Sequence, residues 1–389
     1  MVYQTPKTTG KDPFVSTPDL SGYDIEHAAD GADVVIALAD LETVVSSVLS
    51  AAGFPEPRAR LVAASLVDAE ARGISSHGVS RARIYARRVS EKLVDATAVP
   101  TVTGRGATRR VDAHNAPGQV GAEVAVGEAI AGARESGVCF VGVLNSNHCG
   151  TLSFFLRGIA EAGLIGFAMT NGPAVMAYHG GRSRAVGTNP FGYSVPRADA
   201  PPIVLDMATS NAARGKIISM ARSGVGEVPN DWAVDVDGRM TNDPVAALAG
   251  AVLPFSGPKG SGMAMGIDLL CGALLSGVSG DDIGDMYENW DRPQRVGHVF
   301  GAVDPGAWLA DGGFAGNVDA FVDRVHALPP AVGQDRVFLP GEIEEDRFAR
   351  ALEGGIQLTA TVAEDLRRLT VEYSVPQVGE LLTAVEHGR

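Results

Sequence analysis

The chain predicts an α/β protein with a largely helical second domain, on three observations. Short apolar runs alternate with amphipathic helical stretches through its middle, as a layered α/β core requires. The segments on either side carry mainly helical periodicity. With 389 residues, 45% of them hydrophobic and 20% charged, the chain has material for a large core and more than one domain.

Taken in order, residues 1–33 are polar, carry Pro6, Pro13 and Pro18 and contain no apolar run of the kind a signal peptide needs, so they read as a flexible tail. Asp12 precedes Pro13 and is held extended, which disfavours helix there. Order is expected from Val34. Helical patterns then span Leu38 to Ala52, Pro57 to Arg72 after the break at Gly53-Phe54-Pro55, and His77 to about Lys92, giving a helical layer over 34–115. In 116–309, strand-like runs at Val138 to Leu144, Leu164 to Met169 and Ile203 to Leu205 alternate with helical Glu123 to Glu135 and Phe154 to Ala162. That alternation places the α/β unit. Further helices are expected at Met263 to Leu275, Val318 to Ala327, Glu344 to Leu352, Ala360 to Leu369 and Gln377 to Glu386, with a strand at Val296 to Val303. The helices of 310–389 are expected to join the N-terminal layer. No internal repeat is present.

A formal charge of −14 argues against nucleic acid or an anionic membrane as partner, because phosphate contacts need clustered Lys and Arg. Cys139, Cys149 and Cys271 lack metal-ligand spacing, and no pair of the 8 histidines has it, so no metal is expected and a reduced, cytoplasmic setting follows. Gly104-Arg105-Gly106-Ala107-Thr108-Arg109 has Arg where the third glycine of a dinucleotide fingerprint belongs, which speaks against a standard Rossmann unit. Phosphate-loop, nucleophile-elbow and zinc-protease motifs are missing as well.

Chemistry concentrates in two stretches. If a helix starts after Ser75-Ser76, a pitch of about 3.6 residues puts His77, Arg81 and Tyr85 on one stripe. A proton carrier, a fixed cation and a phenol would then face one way, which suits a small carboxylate substrate; a solvated polar face is the plainer reading. Asn147-His148-Cys149-Gly150 supplies a second histidine. Two segments suit phosphates. Ile203 to Leu205 reads as a strand turning at Asp206 into a helix capped by Thr209 or Ser210, and Pro254 to Gly262 curls glycine backbone around Lys259 at a helix head. Alone, helix entries of this kind mostly serve as ordinary turns.

The chain resembles the malate/L-lactate dehydrogenase family of NAD(P)-dependent oxidoreductases, which is unrelated to the Rossmann lactate dehydrogenases and includes sulfolactate, ureidoglycolate, diketogulonate and piperideine-2-carboxylate enzymes. The resemblance runs from about Leu38 to Leu382. It rests on Arg72-Gly73-Ile74-Ser75-Ser76-His77-Gly78, Ser146-Asn147-His148-Cys149-Gly150, Gly180-Gly181, Gly187-Thr188-Asn189-Pro190, Asp206-Met207-Ala208-Thr209-Ser210, Pro258-Lys259-Gly260 and Leu339-Pro340-Gly341-Glu342. It implies a mixed-sheet, non-Rossmann NAD(P)-binding domain beside a helical layer, a homodimer, and hydride transfer at a carbonyl or imine next to a carboxylate. His148 matches the histidine beside the reacting atom, with His77 as the other acid/base candidate. Arg81 and Tyr85 match positions that bind and orient the substrate, and Thr188 and Asn189 either line the nicotinamide pocket or form a turn. Asp206, Met207, Ala208, Thr209, Ser210, Asn211 and Ala212, with Pro258, Lys259, Gly341, Glu342 and Ile343, match contacts to NAD or NADP.

Three departures bear on the substrate: Cys149 where relatives often carry an aromatic residue, Asn171-Gly172-Pro173 where the ureidoglycolate branch has Ser-Asp-Pro, and His179 at a frequently aromatic position. The expected reaction is hydride transfer between NAD(P)H and a 2-oxo acid, with Arg81 on the carboxylate and His148 as general acid/base. Reduction by an imidazolium would slow as pH rises through an ordinary histidine pKa. Cyclic imino acid reduction is the alternative within the family. A non-catalytic binding or scaffold protein on the same fold is the alternative from another class, which Cys149 and the tail allow.

Overall fold

The computed structural model describes residues 33–223, 226–309 and 313–382. The tail before Asp33 and the end of the helix expected at Gln377 to Glu386 lie outside these residues. The chain opens with β1 (Val34–Ile36), then α1 (Leu38–Ala51) and α2 (Glu56–Ala71), whose Pro57 sits in the first turn, where a missing N–H costs nothing. The expected helix from His77 is broken: Ser75–His77 and Val79–Arg81 form two short 3-10 turns hinged at Gly78, and α3 (Ala82–Ser90) starts only after them. Neither Ser75 nor Ser76 caps a helix.

The Gly104 to Arg109 stretch is a hairpin, β2 (Thr101–Arg105) and β3 (Thr108–Asp112), with Gly104 and Gly106 supplying positive φ. Then follow α4 (Gly118–Ser136), β4 (Val138–Ser146), α5 (Leu152–Glu161), β5 (Ile165–Thr170), β6 (Phe191–Val195) and β7 (Ile203–Met207). After them come α6 (Arg214–Ser223), β8 (Ala233–Val234), α7 (Pro244–Ala249), β9 (Ala251–Val252), α8 (Pro258–Cys271) and β10 (Val296–Val303). The chain closes with α9 (Phe314–His326), α10 (Glu342–Gly354), β11 (Ile356–Leu358), α11 (Ala360–Glu372) and the short α12 (Pro376–Gly379).

The main sheet runs β2-β3-β4-β10-β5-β6-β7; β3 and β4 are parallel and every other neighbouring pair is antiparallel. This mixed order has no run of parallel strands wound through helices, so the non-Rossmann expectation holds. Helices α4 and α5 cover one face and α8 the other. The central strands β4 and β10 are therefore buried on both sides and read as nearly continuous apolar runs. Gly297 lets the end of α8 lie directly on β10, since a Cβ there would stand 1.9 Å from the Cys271 carbonyl. Phe300 is fully buried between the sheet and α5, edge-on to Phe155 at 5.6 Å.

The helical layer has its own core, in which Leu41, Val45, Leu49 and Leu66 pack with Leu358, Leu366 and Leu369 from the C-terminal end. β1 pairs with β11, and Arg72 of the α2 C-cap binds Glu345 of α10 at 2.6 Å. A third cluster, with Met176, Val186, Ile217, Val252 and Ala264, sits beside the sheet.

Two expected elements change. Helix α8 begins at Pro258 rather than Met263, since Pro at its first position and the turn of Gly257, φ 59°, start it earlier. No helix starts at Thr209: β7 continues through Asp206 to Met207, and the hydroxyls of Thr209 and Ser210 bond the carbonyls of Thr188, Asn189 and Ala212 instead of capping.

Removing the Phe300 ring should cost about 3–5 kcal/mol, the range for a fully buried aromatic truncated to Ala. A guanidinium unfolding titration of Phe300→Ala checks this, and a loss below about 1 kcal/mol would contradict the packing described.

Candidate active site

His77, Arg81 and Tyr85 come together without a continuous helix, because a buried carboxylate organises the hinge. Glu70, on α2, accepts the Val79 N–H at 3.0 Å and so caps the second 3-10 turn. Burial raises its pKa. Gly78 is required at the hinge, since a Cβ there would fall 1.9 Å from the Glu70 carboxylate oxygen. The Arg81 guanidinium is aimed by its Nε–H to the Ser76 carbonyl at 2.8 Å and by a contact with the Tyr287 hydroxyl.

His148 stands on the loop after β4, where α4 presses close: a Cβ at Gly118 would lie 2.2 Å from the Asn147 carbonyl. The Asn147 amide nitrogen donates to the Asn115 carbonyl and side chain and to the Ala116 carbonyl, and the His148 N–H donates to Gln294 Oε1 at 3.2 Å. The His148 and His77 rings stack with centroids 5.4 Å apart. Tyr85 Oη lies 2.6 Å from His148 Nδ1, and the Gly150 N–H donates to that same nitrogen at 3.2 Å. A backbone N–H can only donate, so Nδ1 accepts, the phenol also donates to it, and the ring proton sits on Nε2.

Burial, reinforced by the Arg81 charge, pushes His77 down to about 3. The same causes, with His77 and His298 adding to them, hold His148 well below the ordinary histidine value. Both rings are neutral at pH 7, which overturns the expectation of an imidazolium titrating near neutrality.

These residues border a cleft of about 340 Å³ between the helical layer, the sheet and the Asp285–Tyr287 segment. Thr188, Asn189, Asp206 and Ala208 also line it. Asn189 does so with its side chain committed, Oδ1 accepting the Gly172 N–H and Nδ2 donating to the Ala264 carbonyl, so it serves the turn. Tyr85 does not border the cleft: it stands behind His148, in contrast to the expectation that it orients substrate. Asp206 accepts the Ser153 N–H at the start of α5, and burial raises its pKa.

Asp206 and Ile74 are shared with a second cavity of about 350 Å³, bordered by Gly341 and Ile343. Gly341, φ 91°, rests on Val204, and Glu342 is held by the Leu339 N–H and His326. Met207 ends β7, and Thr209, Ser210, Asn211 and Ala212 lie just beyond the cleft, tied to the α8 approach by the Asn211 N–H to Leu253 and the Phe255 N–H to Thr209. Pro258 and Lys259 occupy the first turn of α8 and border neither cavity. His179 is exposed beside Gly257, its N–H on Ser261 Oγ. Asn171 is structural, with bonds to Asp268, Val278 and Gly297. Burial pushes Cys149 up to about 12, leaving a neutral thiol.

Sequence reading missed Arg214, which borders the cleft and pairs with Asp285 and Glu288, and His298, which is buried and bonded to Thr170 and Ser146 at 2.7 and 3.0 Å. No local motif marks either. Among the described residues, no group of three or more His, Cys, Asp or Glu is placed to hold a metal ion.

A profile described as malate/L-lactate dehydrogenase matches residues 36–367. The chain belongs to the malate/L-lactate dehydrogenase family. Members similar to it include the (2R)-3-sulfolactate dehydrogenase (NADP(+)) of Chromohalobacter salexigens, 34% identical over 87% of this chain and 98% of that protein. Another is the Delta(1)-pyrroline-2-carboxylate reductase of Ancylobacter novellus, 34% identical over 86% of this chain and 97% of that protein. The solved sulfolactate dehydrogenase of Methanocaldococcus jannaschii superposes with a TM-score of 0.80 at 30% identity, covering 88% of this chain and 98% of that one. All three family members are named as dehydrogenases or reductases, so the scaffold alternative is not favoured.

Gly78→Ala must push the Glu70 carboxylate off the Val79 N–H. Losing a hydrogen bond to a buried, charge-capable group costs about 1–3 kcal/mol, so the denaturation midpoint should drop accordingly. An unchanged midpoint would show that Glu70 does not organise the hinge.

Proposed function

We propose that the protein transfers a hydride between NAD(P)H and a 2-oxo acid, giving the 2-hydroxy acid. Its oxidoreductase class and its NAD(P) cofactor follow from the family to which the chain belongs. The observation that carries the reading is the convergence of His148, His77 and Arg81 on one cleft. Reduction of a cyclic imino acid is a second reading, favoured by the likeness to the pyrroline-2-carboxylate reductase.

The cavities suit a dinucleotide. They meet at Ile74 and Asp206, and the Thr151 hydroxyl, buried on the cleft wall, has no partner within the protein and is available to a bound ligand. Ile74, Leu152 and Ile218 offer apolar wall to the nicotinamide end, and Gly341 and Ile343 border the far end. NAD(P)H supplies the hydride. Arg81 holds the substrate carboxylate as a planar fork fixed by Ser76 and Tyr287. The neutral His148 presents Nε2–H, which donates to the substrate oxygen and stabilises the charge that develops there.

The homodimer belongs to the same reading. α8 exposes Met265 and Leu269, the turn after it exposes Leu274, and Phe140 of β4 is exposed as well. An apolar surface of this kind on one helix and one sheet face suits a second copy. We place the protein in the cytoplasm with its three cysteines free. No described helix is long and apolar enough to cross a membrane.

NADH and NADPH oxidation against a panel of 2-oxo acids and cyclic imines, in excess chelator, tests the function; no turnover with any of them would sink it. Arg81→Lys should raise KM roughly 10- to 150-fold, the equivalent of about 1.5–3 kcal/mol for a charge-assisted hydrogen bond, with cofactor affinity unchanged by calorimetry. A normal KM would remove Arg81 from the substrate site.

A further inference from the structure

Behind His148, on the side away from the cleft, lies a small recess of about 20 Å³. One water requires about 10–15 Å³ and at least two polar partners. Tyr85, Arg88, Gln119, Asn147 and His148 border it. Among the residues that border it, Arg88 Nε and Asn147 Oδ1 are buried without a hydrogen-bond partner, and the buried Gln119 amide lies against the Tyr85 phenol, whose pKa it lowers. The Asn147 amide is oriented by three carbonyl-type acceptors on its nitrogen, so its oxygen is the atom left over. A donor and an acceptor, with the Gln119 amide beside them, around a space that admits one water describe a solvent site. Tyr85 also borders it, and its phenol donates to His148 Nδ1 at 2.6 Å.

We propose that Tyr85 is the proton source behind His148, and that a water held by Gln119, Asn147 and Arg88 recharges it. This rests on the hydride-transfer reading above. In the reducing direction the substrate carbon gains the hydride and its oxygen takes the proton from His148 Nε2. The Nε2–H bond breaks as Nδ1 takes the phenol proton, so His148 ends neutral with the proton on the opposite nitrogen and Tyr85 ends as phenolate. The recess water then protonates Tyr85 and is itself reprotonated from solvent. To regain its first tautomer the ring takes one proton on Nε2 from solvent in the emptied cleft and passes the Nδ1 proton out through Tyr85 and the recess water, so the cycle closes with one hydride and one proton added to the substrate.

The direction of transfer is reasonable although burial raises the phenol pKa, because an alkoxide is a stronger base than a phenolate. Arg81 and the Gln119 amide lower the phenol pKa, acting against the burial and Cys149. An imidazolium route is disfavoured by the surroundings. His148 feels His77 and Arg81 from the hinge and His298 from β10, Arg88 borders the recess, and of the carboxylates on the cleft wall Asp206 serves the α5 N-terminus and Asp285 pairs with Arg214.

The relay predicts that wild-type reduction is independent of pH from about 6 to 8. Tyr85→Phe keeps the ring and its packing but removes the proton. Its reductive kcat at pH 7 should fall about 10²-fold, in the range for loss of a positioned proton donor, and the residual rate should rise as pH falls, since the proton must now come from an imidazolium. A high-resolution crystal structure of the wild type should show one ordered water within hydrogen-bonding distance of Gln119, Asn147 and Arg88. Near-normal kcat and a flat profile in Tyr85→Phe, or a recess without water, would overturn the relay. If the wild type turns over no substrate at all, the function reading fails instead, and the crystallographic water still decides the solvent site.

Discussion

The hydrogen bond from Tyr85 to His148 Nδ1 is the contact on which the site depends, because it crosses between the two halves of the fold. Tyr85 belongs to α3 of the helical layer and His148 to the loop leaving β4 of the sheet. With the Gly150 N–H on the same nitrogen, it settles where the ring proton sits, and with the His77 stack it settles where the ring lies. The helical layer carries Arg81 in register with that ring through the Glu70-capped hinge, so the guanidinium and the imidazole share one rigid reference.

Electrostatics complete the arrangement. The chain carries a formal −14, yet the cleft gathers neutral imidazoles around Arg81. Arg214 in the same wall is paired with Asp285, and in a buried site of low effective dielectric a nearby oriented cation acts more strongly on an anion than a dispersed surface charge does. After burial, the same cation helps to keep His77 and His148 neutral, so under the proposed function substrate capture and the choice of proton carrier would have a common cause.

Much of the fold was legible in the sequence, because buried strands and amphipathic helices have different periods. Val138 to Leu144, Leu164 to Met169 and Val296 to Val303 read as strands since both sheet faces are covered there. The hairpin at Thr101 to Asp112 was missed because β2 is exposed along its length and shows no apolar run. β6 was hidden by Gly192, which makes room for Leu156 and the Leu205 carbonyl. At the site, local residues and resemblance singled out His77, Arg81 and His148, which border one cleft, but the continuous helix expected to align them is broken, because the burial of Glu70 beneath Gly78 is a tertiary fact. Tyr85 was found with the wrong orientation for the same kind of reason, since a stripe on one element does not reveal which neighbour fills the space beside it. Arg214, Tyr287 and His298 come from distant segments and leave no mark at the level of spacing.

The central claim is that His148 works as a neutral ring with its proton on Nε2. Nitrogen-15 NMR of the histidine-labelled protein, assigned by the loss of one resonance pair in His148→Asn, reads this state directly. The account predicts that His148 Nε2 keeps the shift of a protonated nitrogen and Nδ1 that of an acceptor nitrogen, unchanged from pH 8 to pH 6. Convergence of both shifts to imidazolium values within that range, or a proton on Nδ1, would contradict it.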